Sequence, residues 1–260
     1  MFDSGIGGLS VLKALRAELP LEDFVYVADS AYAPYGERTD AHVIGRTRTI
    51  TAHLLARYHI KALVVACNTA TAAAIELLRQ DHPKLAIIGV EPALKPALAH
   101  SQTRRIGVMA TRGTLQSVKF RTLLATLAEQ VDFVCQPCDG LADAIERQET
   151  PRIKALCEIY TTAIGQFGTQ AGQIDSLVLG CTHYPFASEQ LTELLGSGVK
   201  LISNGEPVAR QTRRLLPSFA SGERPGQCLL LSTGASSSLE LAAQYWLGWY
   251  GGVTPVLTFI

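Results

Sequence analysis

Two cysteines stand in matching surroundings. Cys67 follows the apolar run Ala62, Leu63, Val64, Val65, Ala66 and precedes Asn68 and Thr69; Cys181 follows Ser176, Leu177, Val178, Leu179, Gly180 and precedes Thr182 and His183. In each case a strand-like run ends in a small residue, a thiol and then polar groups. In open α/β sheets ligands bind beyond the carboxyl ends of the strands. A thiol there, just ahead of a helix, meets free backbone N–H groups and the positive end of the helix dipole, and both favour the thiolate. The same N–H groups suit a carboxylate substrate. Two such thiols on opposite faces of one carbon would let one remove a proton while the other returns one, which inverts a stereocentre. A cysteine-nucleophile hydrolase needs one thiol, a base and an oxyanion hole. The duplicated arrangement favours racemisation and leaves hydrolysis open.

The elements that must position these thiols alternate along the chain. Strand candidates are Phe24–Val27, Ala62–Ala66, Leu85–Val90, Ile106–Met109, Val131–Val134 and Ser176–Leu179. Continuous apolar runs of this length are typical of parallel strands buried on both faces. Between them, Leu9–Leu19, Thr39–Tyr58 and Ala70–Gln80 read as helices; Leu9, Leu12, Leu15 and Leu19 share one face of the first, along which the stem of Arg16 can lie. The alternation predicts an α/β architecture with mostly parallel sheets. The repeat around the two cysteines predicts two similar α/β domains, 1–94 with 206–260 and 95–205. Pro92, Pro96 and their polar neighbours break the pattern between Glu91 and Thr103, and Asn204-Gly205-Glu206-Pro207 marks the return to the first domain. If Asp3 closes a first strand, only Met1 and Phe2 precede it. Either that strand is truncated or the start codon has been assigned too late.

Composition narrows the function classes. The chain has 260 residues, 47% hydrophobic and 18% charged, which suits folded globular domains. Its 23 Lys and Arg balance 23 Asp and Glu, so no basic excess points to nucleic acid. No run of about 18 apolar residues suggests a membrane span. Met1-Phe2-Asp3-Ser4-Gly5 has neither the basic nor the apolar region of a signal peptide, so a cytoplasmic protein with reduced thiols is expected. The six cysteines are therefore weighed as catalytic, metal-binding or buried groups.

Four motifs together carry a resemblance: Asp3-Ser4-Gly5-Ile6-Gly7-Gly8, Pro34-Tyr35-Gly36, Cys67-Asn68-Thr69-Ala70, and Gly180-Cys181-Thr182-His183-Tyr184-Pro185. In this order and at about this spacing they resemble the signature blocks of the glutamate racemases. The last block separates these from aspartate racemases, which usually carry Glu in place of His183. The resemblance spans essentially the whole chain. It implies a cofactor-independent, metal-free enzyme that interconverts L- and D-glutamate and supplies D-glutamate for peptidoglycan, built from two α/β domains with the site in the cleft between them. It further implies that Cys67 acts on D-glutamate with Asp3 assisting, and Cys181 on L-glutamate with His183 assisting. Ser4, Tyr35, Gly36, Asn68, Thr69 and Thr182 match substrate-binding positions, Thr114 and Ser117 match a carboxylate site, and Glu146 matches an acid near the substrate ammonium. Glutamate racemases are often dimers, and a homodimer is carried as an expectation. Against this stand a racemase for another acidic amino acid, the cysteine-nucleophile hydrolase, and a non-catalytic binding protein on the same scaffold.

Some signals have a simpler reading. Asp3 and Ser4 ahead of a helix also suit an N-cap. Cys135 and Cys138 have CxxC spacing but no second pair to complete a zinc site. Gly5-Ile6-Gly7-Gly8 lacks the Gly-Lys-Ser/Thr of a P-loop, and its glycines instead let a ligand approach the backbone. Tyr245, Trp246, Trp249 and Tyr250 suit a core or a subunit contact. His42, His53, His59, His82 and His100 show no ligand spacing.

Overall fold

The computed structural model describes residues 1–221 and 224–256. The chain forms two compact units, Met1–Val90 with the chain from Gly205 onward, and Glu91–Asn204.

The first unit begins with β1 (Phe2–Asp3), α1 (Leu9–Glu18), β2 (Phe24–Ala28), α2 (Asp40–Tyr58), β3 (Ala62–Val65), α3 (Asn68–Asp81) and β4 (Ala86–Gly89). The second unit contains α4 (Leu94–His100), β5 (Arg105–Ala110), α5 (Arg112–Gln116), α6 (Val118–Ala125), β6 (Asp132–Pro137), α7 (Leu141–Glu146), α8 (Thr150–Ile164), β7 (Ser176–Leu179), α9 (Ser188–Leu195) and β8 (Lys200–Ile202). The return to the first unit adds α10 (Gly205–Leu215), β9 (Cys228–Ser232), α11 (Ser236–Leu247) and β10 (Val253–Pro255). The first unit holds a six-stranded sheet in the order β10-β9-β2-β1-β3-β4, the second a four-stranded sheet in the order β6-β5-β7-β8. Every pairing in both sheets is parallel.

Burial explains why these residues take these forms. Leu63, Val64 and Val65 in β3, and all of β7, are buried. A helix covering such a sheet needs one apolar face, and α3 supplies it with Ala70, Ala74, Ile75 and Leu78. The Thr39 hydroxyl caps α2 by accepting from the His42 N–H.

The first strand is two residues long yet central. Phe2 pairs with Val27 on one side and Val65 on the other. The Phe2 carbonyl accepts from Ala66 N at 2.8 Å, and the Asp3 carbonyl accepts from Asp29 N at 2.9 Å. The amino group of Met1 donates to the Val25 carbonyl at 2.7 Å, and burial lowers its pKa to about 5.

Three strands absent from the sequence expectation complete the sheets. β8 has only three residues, β10 contains a proline, and both lie at sheet edges, where such short or interrupted strands are tolerated. β9 follows a Gly- and Pro-containing stretch that reads as loop. No helix among the described residues is long and apolar enough to cross a membrane.

In the second unit, Asp175 ties the segment after α4 to the start of β7. Its carboxylate accepts from Ser101 Oγ (2.7 Å), Gln102 N (2.6 Å), Thr103 N (2.9 Å) and Ser176 Oγ (3.0 Å). Burial alone would raise its pKa, but these four donors together hold it below the usual carboxylate value. A depressed carboxylate stabilises the fold above its unfolded pKa of about 3.9, and that contribution fades as the pH falls through the folded value. Asp175→Asn is expected to lower stability by roughly 1–3 kcal/mol at pH 7. Urea unfolding at several pH values checks this: the gap to the parent chain should persist at pH 5 and shrink below about pH 4. A gap independent of pH would show that the carboxylate's charge is not what matters.

Candidate active site

Each unit carries a thiol just past the carboxyl end of an interior strand, with different partners around it.

In the first unit Asp3 ends β1 and is fully buried. Its Oδ1 accepts from Ser4 Oγ at 3.0 Å and from Gly5 N at 3.2 Å. Asp3 is not the cap of α1; Gly8 holds that position and makes no side-chain hydrogen bond. A Cβ on Gly8 would lie 2.7 Å from the Asp3 Cβ and 2.9 Å from the Tyr26 ring, so only glycine lets α1 start this close to the carboxylate. The Tyr26 hydroxyl fixes the same loop by donating to the Gly5 carbonyl at 2.5 Å.

Cys67 is the N-cap of α3, and its sulfur accepts from Ala70 N at 3.5 Å. The helix terminus thus favours negative charge on this sulfur. The Cys67 thiol also reaches the Ser4 hydroxyl at 4.0 Å, so thiol, hydroxyl and Asp3 carboxylate form a directed row of donors and acceptors. Asn68 and Thr69 are buried in the first turn of α3, where Asn68 Nδ2 donates to the Val90 carbonyl at 3.4 Å. Tyr35 and Gly36 lie in a 3-10 turn, Tyr35–Glu37, between β2 and α2. The Tyr35 ring is buried, and its hydroxyl donates to Asp29 Oδ2. Burial, with the Asp29 carboxylate next, pushes that phenol far above its ordinary pKa, so it remains a donor.

In the second unit Cys181 lies two residues beyond β7. Gly180 N donates to the Met109 carbonyl at 2.7 Å, and a Cβ there would approach that carbonyl oxygen to 2.8 Å, so glycine is required before the thiol. The expectation that Cys181 directly precedes a helix needs correcting. A 3-10 turn, Tyr184–Ala187, intervenes before α9, and His183 caps that turn. Pro185 lies in the first turn of that 3-10 helix, where its missing N–H leaves no bond unmade. The thiol therefore pairs with a side chain. Cys181 Sγ is 3.9 Å from His183 Nδ1, and His183 Nε2 is 2.8 Å from Glu146 Oε2 at the end of α7. Burial disfavours a charged imidazole, but the hydrogen bonds to Cys181 and Glu146 outweigh it and raise the His183 pKa well above 6.5.

Thr182 is buried beside Cys181. Thr114 and Ser117 follow β5: Thr114 lies in α5, where its N and Oγ1 bond to the capping Thr111 Oγ1, and Ser117 caps α6, its Oγ donating to the Thr114 carbonyl and accepting from Phe120 N. Cys135 packs against the apolar cluster of this unit. The buried Cys138 thiol donates to the Gln136 carbonyl, and burial pushes its pKa far up. None of the six cysteines is in a disulfide, and among the described residues no group of three or more His, Cys, Asp or Glu could hold a metal.

Two features were not singled out from the sequence. Asp29 stands just past the end of β2, paired with Arg46 of α2. The available signal was an aspartate directly after the run Phe24–Ala28, as Asp3 follows Phe2. The bond from Glu146 to His183 joins residues far apart in the chain, which spacing does not reveal.

A family model described as Asp/Glu/Hydantoin racemase matches residues 9–212. The chain belongs to the Asp/Glu/hydantoin racemase family. It is 45% identical over 248 residues to the glutamate racemase of Ectopseudomonas mendocina, covering 95% of this chain and 87% of that protein. It is 47% identical over 228 residues to that of Cupriavidus pinatubonensis, covering 87% and 81%. Among solved structures, a glutamate racemase isoform from Bacillus anthracis superposes with a TM-score of 0.83 at 30% identity, covering 99% of this chain and 95% of that one. The Escherichia coli glutamate racemase, solved with L-glutamate and the activator UDP-MurNAc-Ala, gives 0.81 at 27% identity over 98% and 94%. For this member of the racemase family, Glu146→Gln removes the negative partner of His183. The His183 pKa is then expected to fall toward its ordinary value, as measured by NMR titration of the imidazole. An unchanged pKa would mean Glu146 does not set the charge of the ring.

Proposed function

We propose that this chain interconverts L- and D-glutamate without a cofactor and so supplies D-glutamate for peptidoglycan. The observation that carries this reading is the identity of 45–47% to glutamate racemases over more than four fifths of the chain. The two thiols, each with its own proton partner, support the mechanism.

Inversion needs a base on one face of the α-carbon and an acid on the other. We assign these to Cys181 and Cys67. With L-glutamate, the Cys181 thiolate removes the α-proton, forming an S–H bond as the C–H bond breaks. The Cys67 thiol then delivers its proton to the other face, becoming thiolate as the new C–H bond forms. With D-glutamate the roles reverse. A protonated His183 donates from Nδ1 to the Cys181 sulfur and from Nε2 to Glu146, which stabilises the thiolate ready to act on L-glutamate. On the other side, Ser4 passes hydrogen-bond polarity between the Cys67 thiol and Asp3. The α-proton is weakly acidic, so the carbanionic transition state relies on fixed dipoles, among them the N-terminus of α3, and on exclusion of water. Asn68, Thr69, Thr182, Thr114, Ser117 and the Tyr35–Gly36 turn make up the binding surface in this reading. A cytoplasmic location and a homodimer belong to it too, the first supported by six cysteines that form no disulfide.

The test is incubation with each enantiomer in D₂O. Product of inverted configuration should carry deuterium at the α-carbon. Cys67→Ser and Cys181→Ser should each slow turnover in both directions by roughly 10²–10⁴-fold. Absence of both exchange and inversion in the parent chain would refute the glutamate assignment. Normal racemisation by either serine variant would remove the two-thiol mechanism, and a burst of acyl-enzyme on one cysteine would replace it with hydrolysis.

A further inference from the structure

A buried polar network past the carboxyl end of β2 stands outside the proton-transfer groups. Asp29 is fully buried, and both of its carboxylate oxygens are engaged. Arg46 donates from Nη2 to Oδ1 at 2.8 Å and from Nε to Oδ2 at 2.9 Å, and Tyr35 donates to Oδ2 at 2.5 Å. The guanidinium is itself largely covered, with its Cζ 3.7 Å from the centre of the Tyr32 ring. The backbone holds the same residue: Asp29 N donates to the Asp3 carbonyl, and Tyr32 N donates to the Asp29 carbonyl. A two-pronged arginine–carboxylate pair fixes geometry as well as charge.

What the network grips is the turn that carries Tyr35 and Gly36. Tyr35 lies in the same buried cluster as Cys67, so the turn packs beside the thiol at the start of α3. A phenol has a single proton to donate, and Tyr35 gives it to Asp29.

We propose that Asp29 and Arg46 are positioning residues for substrate binding, holding the Tyr35–Gly36 turn in place beside Cys67 through the Tyr35 hydroxyl, which serves Asp29 and not the ligand. The proposal rests on the glutamate reading above. It predicts an effect on binding, since neither residue takes part in the proton transfers.

The test uses Asp29→Asn, Arg46→Lys and Tyr35→Phe in the full chain, with KM and kcat for both enantiomers and the urea midpoint measured together. In Asp29→Asn and Arg46→Lys, KM should rise about tenfold, the loss of one charge-assisted hydrogen bond, while kcat changes much less. Tyr35→Phe should raise KM in the same direction, and adding it to Asp29→Asn should produce no further rise, as for one connected unit. If Asp29→Asn fails to fold, the other two variants carry the comparison. An unchanged KM in folded Arg46→Lys and Tyr35→Phe overturns the proposal. So does a fall in kcat that only tracks the loss of folded protein. If the parent chain does not racemise glutamate, the functional reading fails separately. The network is then judged by the rate of iodoacetamide alkylation at each cysteine. Arg46→Lys should speed labelling of Cys67 and leave Cys181 as it was, and equal rates at Cys67 in parent and variant would dismiss the positioning role.

Discussion

The hydrogen-bond register of one very short strand sets where the polar groups of the first unit meet. β1 has only Phe2 and Asp3, yet it lies between β2 and β3 and bonds to both. Through the Phe2 carbonyl it is locked to Ala66, the residue before Cys67, and through the Asp3 carbonyl to Asp29. Two backbone hydrogen bonds thus align Asp3, Cys67 and Asp29, which come from three distant parts of the sequence. Parallel strands make this possible, because their carboxyl ends all emerge on one side of the sheet. A slip of one residue in β1 would turn the Asp3 side chain to the opposite face of the sheet.

Buried polar groups are costly unless paired, and the pairing here is local and dense. The Asp3 carboxylate is met by Ser4 and Gly5, the Asp29 carboxylate by Arg46 and Tyr35, and the His183 ring by Cys181 and Glu146. Bringing backbone and side chains this close leaves no room for a Cβ at Gly8 or Gly180. The two glycines are therefore part of the same solution as the charged groups they adjoin.

Much of this was legible in the sequence, for identifiable reasons. The runs Ala62–Val65 and Ser176–Leu179 announced buried parallel strands because both of their faces are covered, and the cysteines after them stand where such strands end. Helices α1, α2 and α3 were visible because one apolar face leaves a periodic trace. The edge strands β8 and β10 were hidden by brevity and by a proline. The geometry at Cys181 was hidden differently: the repeat with Cys67 suggested a second capped α-helix start, whereas a 3-10 turn follows and the sulfur meets a histidine. Asp29, Arg46 and the bond from Glu146 to His183 depend on tertiary contacts, about which residue spacing is silent.

The two sulfurs keep unlike company: Cys67 faces a neutral hydroxyl backed by a carboxylate, and Cys181 faces an imidazole that holds its proton firmly. Mirror-image reactants have equal free energy in water, so a catalyst joining them must have the same specificity constant from either side at every acidity. Under the racemase reading, the chemical lopsidedness of the pair can therefore never favour one enantiomer at equilibrium. It can only divide the same overall barrier differently between holding each ligand and converting it.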